Sequence, residues 1–293
     1  MVSETLPFAG GEWRLQMGLR AVPPEAWLAP GGDLAAVLAE KRALLAARRA
    51  EVFAALPGCE KAAAELLALL TSHLPRHHPD FFRREGERLL NRATGESWDL
   101  RAAEIHPLDL AGRLVQEDLC LMLPGEAGYV LAGATLSAPN RWRLADKLGR
   151  PLDAIHDVVP GYAEVLARPV ARFFAEVRPD RIVGRVNWGI ADRPDRFLPS
   201  SPPRVPVTAA TAGDVLHLRI ERQTLRKLAA SAAVVFTIRT EIAPLARVLR
   251  TRADAADLAG AIRTMPDEMQ RYKAIAPDAA TLLEWLEART FTA

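Results

Sequence analysis

The segment Leu218-Arg219-Ile220-Glu221-Arg222-Gln223-Thr224-Leu225-Arg226 alternates as a β-strand does, yet it sets charge where the alternation calls for an apolar side chain. Leu216, Leu218 and Ile220 share one face, while His217, Arg219, Glu221 and Gln223 share the other. Continuing the period puts Arg222 and Thr224 on the face of the leucines. A guanidinium directed at a core needs a partner, and that partner is either an internal carboxylate or a ligand. Facing a ligand, Arg222 would donate hydrogen bonds to developing negative charge. Strict alternation turns Glu221 away from that face, towards Arg219 or Arg226, unless a bulge re-aims it.

The histidines are the second source of chemistry. His77 and His78 sit in a polar break, His217 alternates outward, and His106 precedes Pro107 at an element boundary. His156 differs: it lies in Leu152-Asp153-Ala154-Ile155-His156-Asp157-Val158-Val159-Pro160, a short apolar stretch downstream of Arg141, Trp142, Arg143, Lys147 and Arg150. One reading makes it a hydrogen-bonded core residue. The other makes it an axial haem ligand, which needs one neutral imidazole in a dry pocket with cations near the propionates. No second histidine or carboxylate accompanies it at the spacing of a zinc or non-haem iron site. The serines have no nucleophile-elbow context.

Composition narrows the setting. The chain has 293 residues, 49% hydrophobic and 25% charged, as in ordinary globular proteins. A net charge of +2 gives no case for a nucleic-acid or membrane partner. Cys59 and Cys120 are far apart and outside metal-type spacing, and Cys120 reads as a small core residue within Leu119–Leu123. Met1-Val2-Ser3-Glu4-Thr5 lacks the basic start and apolar run of a signal peptide, and no window approaches a membrane span. A cytoplasmic location is expected.

The elements that must position these residues follow from periodicity. Asp33 is expected to cap a helix with the stripe Leu34, Val37, Leu38, Leu44, Leu45, Val52, Phe53 and Leu56, ended by Pro57-Gly58. A second helix spans about 61–70, and Leu74–Pro79 reads as a break. Strands are predicted at 112–123 and 128–136, joined through Pro124-Gly125-Glu126-Ala127, and at 181–190, 215–225 and 232–240. A helix is predicted over 162–176. The run Leu198-Pro199-Ser200-Ser201-Pro202-Pro203-Arg204-Val205-Pro206 reads as a surface loop. The last fifty residues return to helix, with Pro244, Pro266 and Pro277 near helix starts. There is no internal repeat and no glycine-rich phosphate loop. The expected fold is α+β, an antiparallel five-stranded sheet with helices on one face.

Several ordered motifs carry a resemblance. They are Met17-Gly18-Leu19-Arg20 with Trp27-Leu28, then Gly112-Arg113-Leu114-Val115-Gln116-Glu117-Asp118-Leu119-Cys120-Leu121-Met122, then Arg141-Trp142 with Lys147-Leu148-Gly149. Ile155-His156 with Val159-Pro160, Arg185-Val186-Asn187-Trp188, Glu221 to Arg226, and Phe236-Thr237-Ile238-Arg239 follow. This set, over about residues 15–250, resembles the haem-dependent oxidative N-demethylase family, and within it the haem-binding α subunit of dimethylamine monooxygenase-type enzymes.

The resemblance implies a PAS-like sheet cupping haem b, in one domain over residues 1–293 with helical extensions at about 30–75 and 243–290. It makes His156 the proximal iron ligand and Arg222 a distal-side catalytic residue, with Glu221 beside it. Lys147 and Arg141 become candidate propionate contacts; Asn187 would orient a neighbouring group with Trp188 as wall, unless the pair is ordinary sheet packing. The activity implied is oxidative demethylation of a small secondary amine with O2, giving formaldehyde. Tyr162, Glu117 and Asp118 are candidates to receive the ammonium. The chain has no flavin or nicotinamide fingerprint and no cysteine cluster for iron–sulfur ligation, so electrons would come from separate flavin and iron–sulfur reductase subunits. Two other functions fit the same residues: a haem-bearing gas sensor, and a haem-free binding protein in which Arg222 pairs internally.

Overall fold

The computed structural model describes residues 6–101, 104–126 and 128–289. Met1–Thr5, on which the reading of the N-terminus rests, and Ala127 of the expected hairpin turn lie outside the described residues. The strands, in chain order, are β1 (Arg20–Ala21), β2 (Phe53–Ala55), β3 (Phe82–Glu85), β4 (Arg88–Asn91), β5 (Ser97–Asp99), β6 (Asp118–Gly125), β7 (Gly128–Thr135), β8 (Ile182–Ala191), β9 (His217–Lys227) and β10 (Val234–Pro244). Seven of them form one antiparallel sheet in the order β1-β8-β9-β10-β6-β7-β2, and β3, β4 and β5 form a small second sheet. The five predicted strands are β6 to β10, the middle of the large sheet. The two further strands, of two and three residues, are too short to leave a periodic signal.

Cross-strand register gives each face its membership. One face carries Leu218, Ile220, Arg222, Thr224 and Arg226 of β9 with Gly184, Val186 and Trp188 of β8 and Glu241, Arg239 and Thr237 of β10. The other carries Arg219, Glu221, Gln223 and Leu225 with Arg185, Asn187, Phe236, Ile238 and Thr240. Helices cover both faces, not one. On the first, Leu218, Ile220 and Trp188 bury against the C-terminal helices through Leu245, Leu258 and Ile262, while Leu119, Leu121 and Val235 bury against Leu66, Leu70 and Leu108. On the second, Cys120, Met122, Leu225 and Val234 meet Leu144, Ile155 and Phe174 from three short helices, Leu144–Lys147, Leu152–His156 and Ala167–Glu176. Cys120 is 4% exposed, a core residue as its apolar run predicts.

Several elements depart from the predicted boundaries. Residues 107–114 are helical, since Pro107 occupies the first turn and His106 Nδ1 accepts from the Leu108 amide at 3.2 Å, so the strand starts only at Asp118. Gly112 lets that helix rest on β7: a Cβ there would lie 2.5 Å from Thr135 Oγ1. The helix Glu60–His77 runs through Pro75, whose missing N–H removes one bond near the helix end while Leu70, His73 and Leu74 bury around it. Asp33 precedes the helix Leu34–Val52 without capping it through its side chain. Its carboxylate instead accepts from Gln116 Nε2 at 2.7 Å and pairs with Arg196 and Arg239. Segment 199–207 has no regular structure, as its prolines predict.

Candidate functional site

His156 ends the short helix Leu152–His156, and that helix lies on the face of Glu221. Its Nδ1 lies 2.8 Å from the Leu152 carbonyl oxygen, a contact only an Nδ1–H can make, so Nε2 carries the lone pair. Burial lowers the pKa of this half-buried ring, with the Leu152 bond opposing and Lys147 and Arg185 adding to the fall. The imidazole is therefore neutral at pH 7, the state a metal ligand needs. Tyr162 stacks on it, centroids 5.0 Å apart and planes 14° apart, and donates its hydroxyl to Asp153 Oδ1 at 3.0 Å. The stack depends on Gly161, at φ +74°, which opens the π-helical turn Tyr162–Leu166.

Cations gather around the same point. Lys147, above the Trp142 ring at 4.5 Å, has its pKa lowered by burial; Cys120, Asp157 and Glu221 oppose the fall. Arg185 on β8 is also lowered by burial, has Glu221 as its opposing charge, and keeps a buried Nε with no hydrogen-bond partner. Glu221 itself accepts from Arg219 Nε at 3.2 Å, Gln223 Nε2 at 3.1 Å and Asn187 Nδ2 at 3.2 Å. Asn187 in turn accepts from Lys273 Nζ at 3.0 Å. Four cations, Arg219, Arg185, Lys147 and Lys273, thus gather around Glu221, with Asp157 beside Lys147 and Asp153 beside His156. Such an excess of buried positive charge is costly until an anion meets it.

Of the residues singled out from sequence, the structure brings together His156, Lys147, Glu221, Asn187 and Tyr162, and separates Arg222, Trp188, Arg141, Glu117 and Asp118. Arg222 stands on the opposite face and donates to Glu241 Oε1 at 3.3 Å, so its partner is the internal carboxylate. The alternation was read correctly, but Leu218 and Ile220 mark the core beneath the C-terminal helices, and the cluster around His156 and Glu221 is on the charged face. Glu221, expected to point away, is the residue that faces it. Trp188 shares the face of Arg222 and packs edge-on against Phe8, centroids 5.3 Å apart, so it is no wall of this pocket. Arg141, at φ +58°, pairs with buried Asp192 at 3.5 Å, and its charged neighbours are Asp192, Arg204, Arg219 and Arg193 rather than His156.

Glu117 and Asp118 are buried beside Lys41, whose ammonium donates to the Val115 and Glu117 carbonyls at 2.9 and 2.7 Å. Burial raises the pKa of both carboxyls, and Asp118 accepts three bonds from Ser137 and Ala138. Neither carboxylate is available to an amine at His156. A cavity of about 410 Å³ lies beyond Arg219, bounded by Asp33, Glu40, Lys41, Gln116, Arg196 and Arg239 among others, and His156, Lys147 and Arg185 do not line it. Arg219, 2% exposed, divides the two: Nε holds Glu221 while Nη2 reaches Thr240 of the cavity wall at 3.5 Å.

Sequence reasoning missed Arg185 and Lys273 as members of the site. Arg185 alternates with Asn187 on β8, which a register with β9 would have disclosed. Lys273 had one signal, being among five lysines in a chain with 33 arginines.

Among the described residues no three His, Cys, Asp or Glu side chains are grouped to hold a bare metal ion. What the described residues do gather on this face is one neutral imidazole with Lys147 and Arg185 beside it. Residues 18–283 match the family described as haem-dependent oxidative N-demethylase, alpha subunit-like, and the chain belongs to that family. That description names haem dependence, an oxidoreductase chemistry and one subunit of an assembly. Among the described residues no helix is long and apolar enough to cross a membrane.

Proposed function

We propose that this chain is a haem-binding catalytic subunit that oxidatively N-demethylates a small secondary amine such as dimethylamine, using O2 and electrons from separate flavin and iron–sulfur subunits. The observation that carries the reading is His156: its Nδ1 is committed to Leu152, its Nε2 is left basic, and Arg185 and Lys147 stand beside it, neither in an ion pair among the described residues. The residues fit the group. Nε2 would ligate the iron of haem b, and the unsatisfied Arg185 Nε and the Lys147 ammonium would receive the two propionates. The PAS-like cupping of haem by the charged face of the sheet belongs to the same proposal.

Haem supplies the oxidising chemistry; the chain supplies ligation, charge and orientation. Glu221, fixed by three donors, is the carboxylate left to receive the ammonium of the amine, and Tyr162 holds the imidazole plane. A cytoplasmic setting agrees with two buried free cysteines.

The test is the optical spectrum of the purified protein supplied with haem, compared with His156→Ala. A Soret band in the wild type that is lost or displaced in the variant is expected, followed by amine-dependent O2 consumption with a surrogate reductase. Failure of the wild type to take up stoichiometric haem overturns the proposal.

A further inference from the structure

The C-terminal helices hydrogen-bond to the Glu221 cluster through Lys273. Lys273 follows the helix Asp267–Tyr272, and Ala274 then turns the chain at φ +55°. The half-buried Lys273 sends Nζ to Asn187 Oδ1 at 3.0 Å and to the Trp188 carbonyl oxygen at 2.6 Å. Asn187 passes the interaction on, its Nδ2 donating to Glu221 Oε2 at 3.2 Å. These neighbours dictate which way the amide points. Turned over, it would present NH2 to an ammonium and a carbonyl to a carboxylate, and both bonds would be lost.

We propose that Lys273 is a positioning residue of the pocket, whose ammonium sets the Asn187 amide and through it the Glu221 carboxylate that receives the amine. The part played towards the amine rests on the function proposed above; the positioning of Glu221 does not.

The choice of lysine matters, because an arginine in this place could not lose its proton. Burial lowers the Lys273 pKa to about 8, with Glu221 on β9 opposing the fall and Arg185 on β8 adding to it. The other groups packed against this turn are the Tyr272 phenol, itself raised by burial and by Glu221, and Arg204, which donates to the Ala274 carbonyl at 3.5 Å. Below this pH the ammonium locks the amide and adds positive charge beside Glu221. Above it the neutral amine keeps a hydrogen bond but no longer dictates the amide's direction.

Asn91, Asn140 and Asn187 are the three asparagines of the chain. Labelling asparagine with 13C at the carboxamide therefore gives three signals, and Asn187→Asp identifies one. In the wild type the Asn187 signal is expected to titrate near pH 8, while in Lys273→Arg it stays constant between about pH 6.5 and 9.5. In Lys273→Met it should hold the alkaline position throughout. An Asn187 signal that is flat in the wild type, or that titrates alike in all three proteins, overturns the proposal.

The same proteins loaded with haem and titrated with dimethylamine, read by the Soret band, test the second half. Wild-type affinity should weaken about tenfold as pH rises through 8, the loss of a fixed Glu221 outweighing the removal of one repelling charge, Lys273→Arg should lose that limb, and Lys273→Met should be weak at every pH. Equal affinities in all three overturn the link to the substrate. Titration of Asn187 without haem uptake upholds the positioning and removes the function proposed above, so the two failures are distinct.

Discussion

His156 Nδ1 and the Leu152 carbonyl oxygen, four residues apart on one helical turn, lie 2.8 Å from each other, and this bond leaves the lone pair on Nε2. A histidine held this way by its own helix keeps its direction without a partner from elsewhere in the chain. Replacing it by glycine should leave a slot beside Tyr162 with the cationic surroundings intact. His156→Gly is therefore expected to lose the Soret band of the wild type and to regain it when imidazole is added. No recovery at saturating imidazole would assign His156 to packing alone.

The two arginines on opposite faces of neighbouring strands should behave differently. Arg185→Met removes the buried guanidinium with an unpaired Nε, and a charge-assisted bond of about 1.5–3 kcal/mol predicts haem affinity lower by roughly ten- to a hundredfold. Arg222→Met breaks a half-exposed pair with Glu241 worth about 0–1 kcal/mol, and haem affinity should stay within about twofold. Haem titration of both variants decides the matter, and an equal loss in the two would mean the wrong face has been chosen.

Acid should loosen the N-terminal segment before the pocket. Burial lowers the His73 pKa to about 4, its Nε2 lies 3.0 Å from the Trp27 carbonyl oxygen, and His77 and His78 crowd the same ring. The unfolded chain takes up a proton near 6.5, the folded chain only near 4, so the unfolded state holds more protons between these values. Stability is then full above about pH 6.5 and falls as pH drops towards 4, by up to about 1.4 kcal/mol per unit. Urea midpoints across that range should decline in the wild type and flatten in His73→Gln; identical slopes would exclude His73 as the cause.

Ala274 adopts φ +55° at the end of a helix, a conformation that costs a residue with a Cβ about 1 kcal/mol. Ala274→Gly should relieve most of that, less the greater freedom glycine has when unfolded. A thermal midpoint raised by one to a few degrees is expected. A lowered midpoint would show that the turn is set by something other than local backbone preference.

Much of the sheet was legible: β6 to β10 overlap the five predicted strands, β9 through its alternation and β6 through its continuous apolar run, though β6 begins only at Asp118. What alternation could not disclose is which face holds the pocket. Leu218 and Ile220 look like the inside of the protein, and they are, but there are two insides. The charged residues Arg219, Glu221 and Gln223 look like a solvated surface and instead face short helices. The half-buried, hydrogen-bonded state of His156 beside Lys147 agrees with its setting in sequence, one imidazole in an apolar stretch downstream of a run of cations. Lys273 was not legible, because its partner Asn187 is 86 residues away and meets it only after the C-terminal helices fold back over β8.

Coverage of the two faces is unequal. The face of Arg222 lies under helices of 19, 18 and 13 residues, whereas the face of Glu221 lies under helices of four, five and ten. Short helices form and dissolve with little cooperativity of their own. The segment from Leu144 to Glu176 thus owes its order to packing on Cys120, Met122, Leu225 and Val234 more than to helix length. On the function proposed above, a rigid, flat guest would meet the side of the sheet whose cover is least cooperative, and haem uptake is expected to follow folding of the sheet and its long helices.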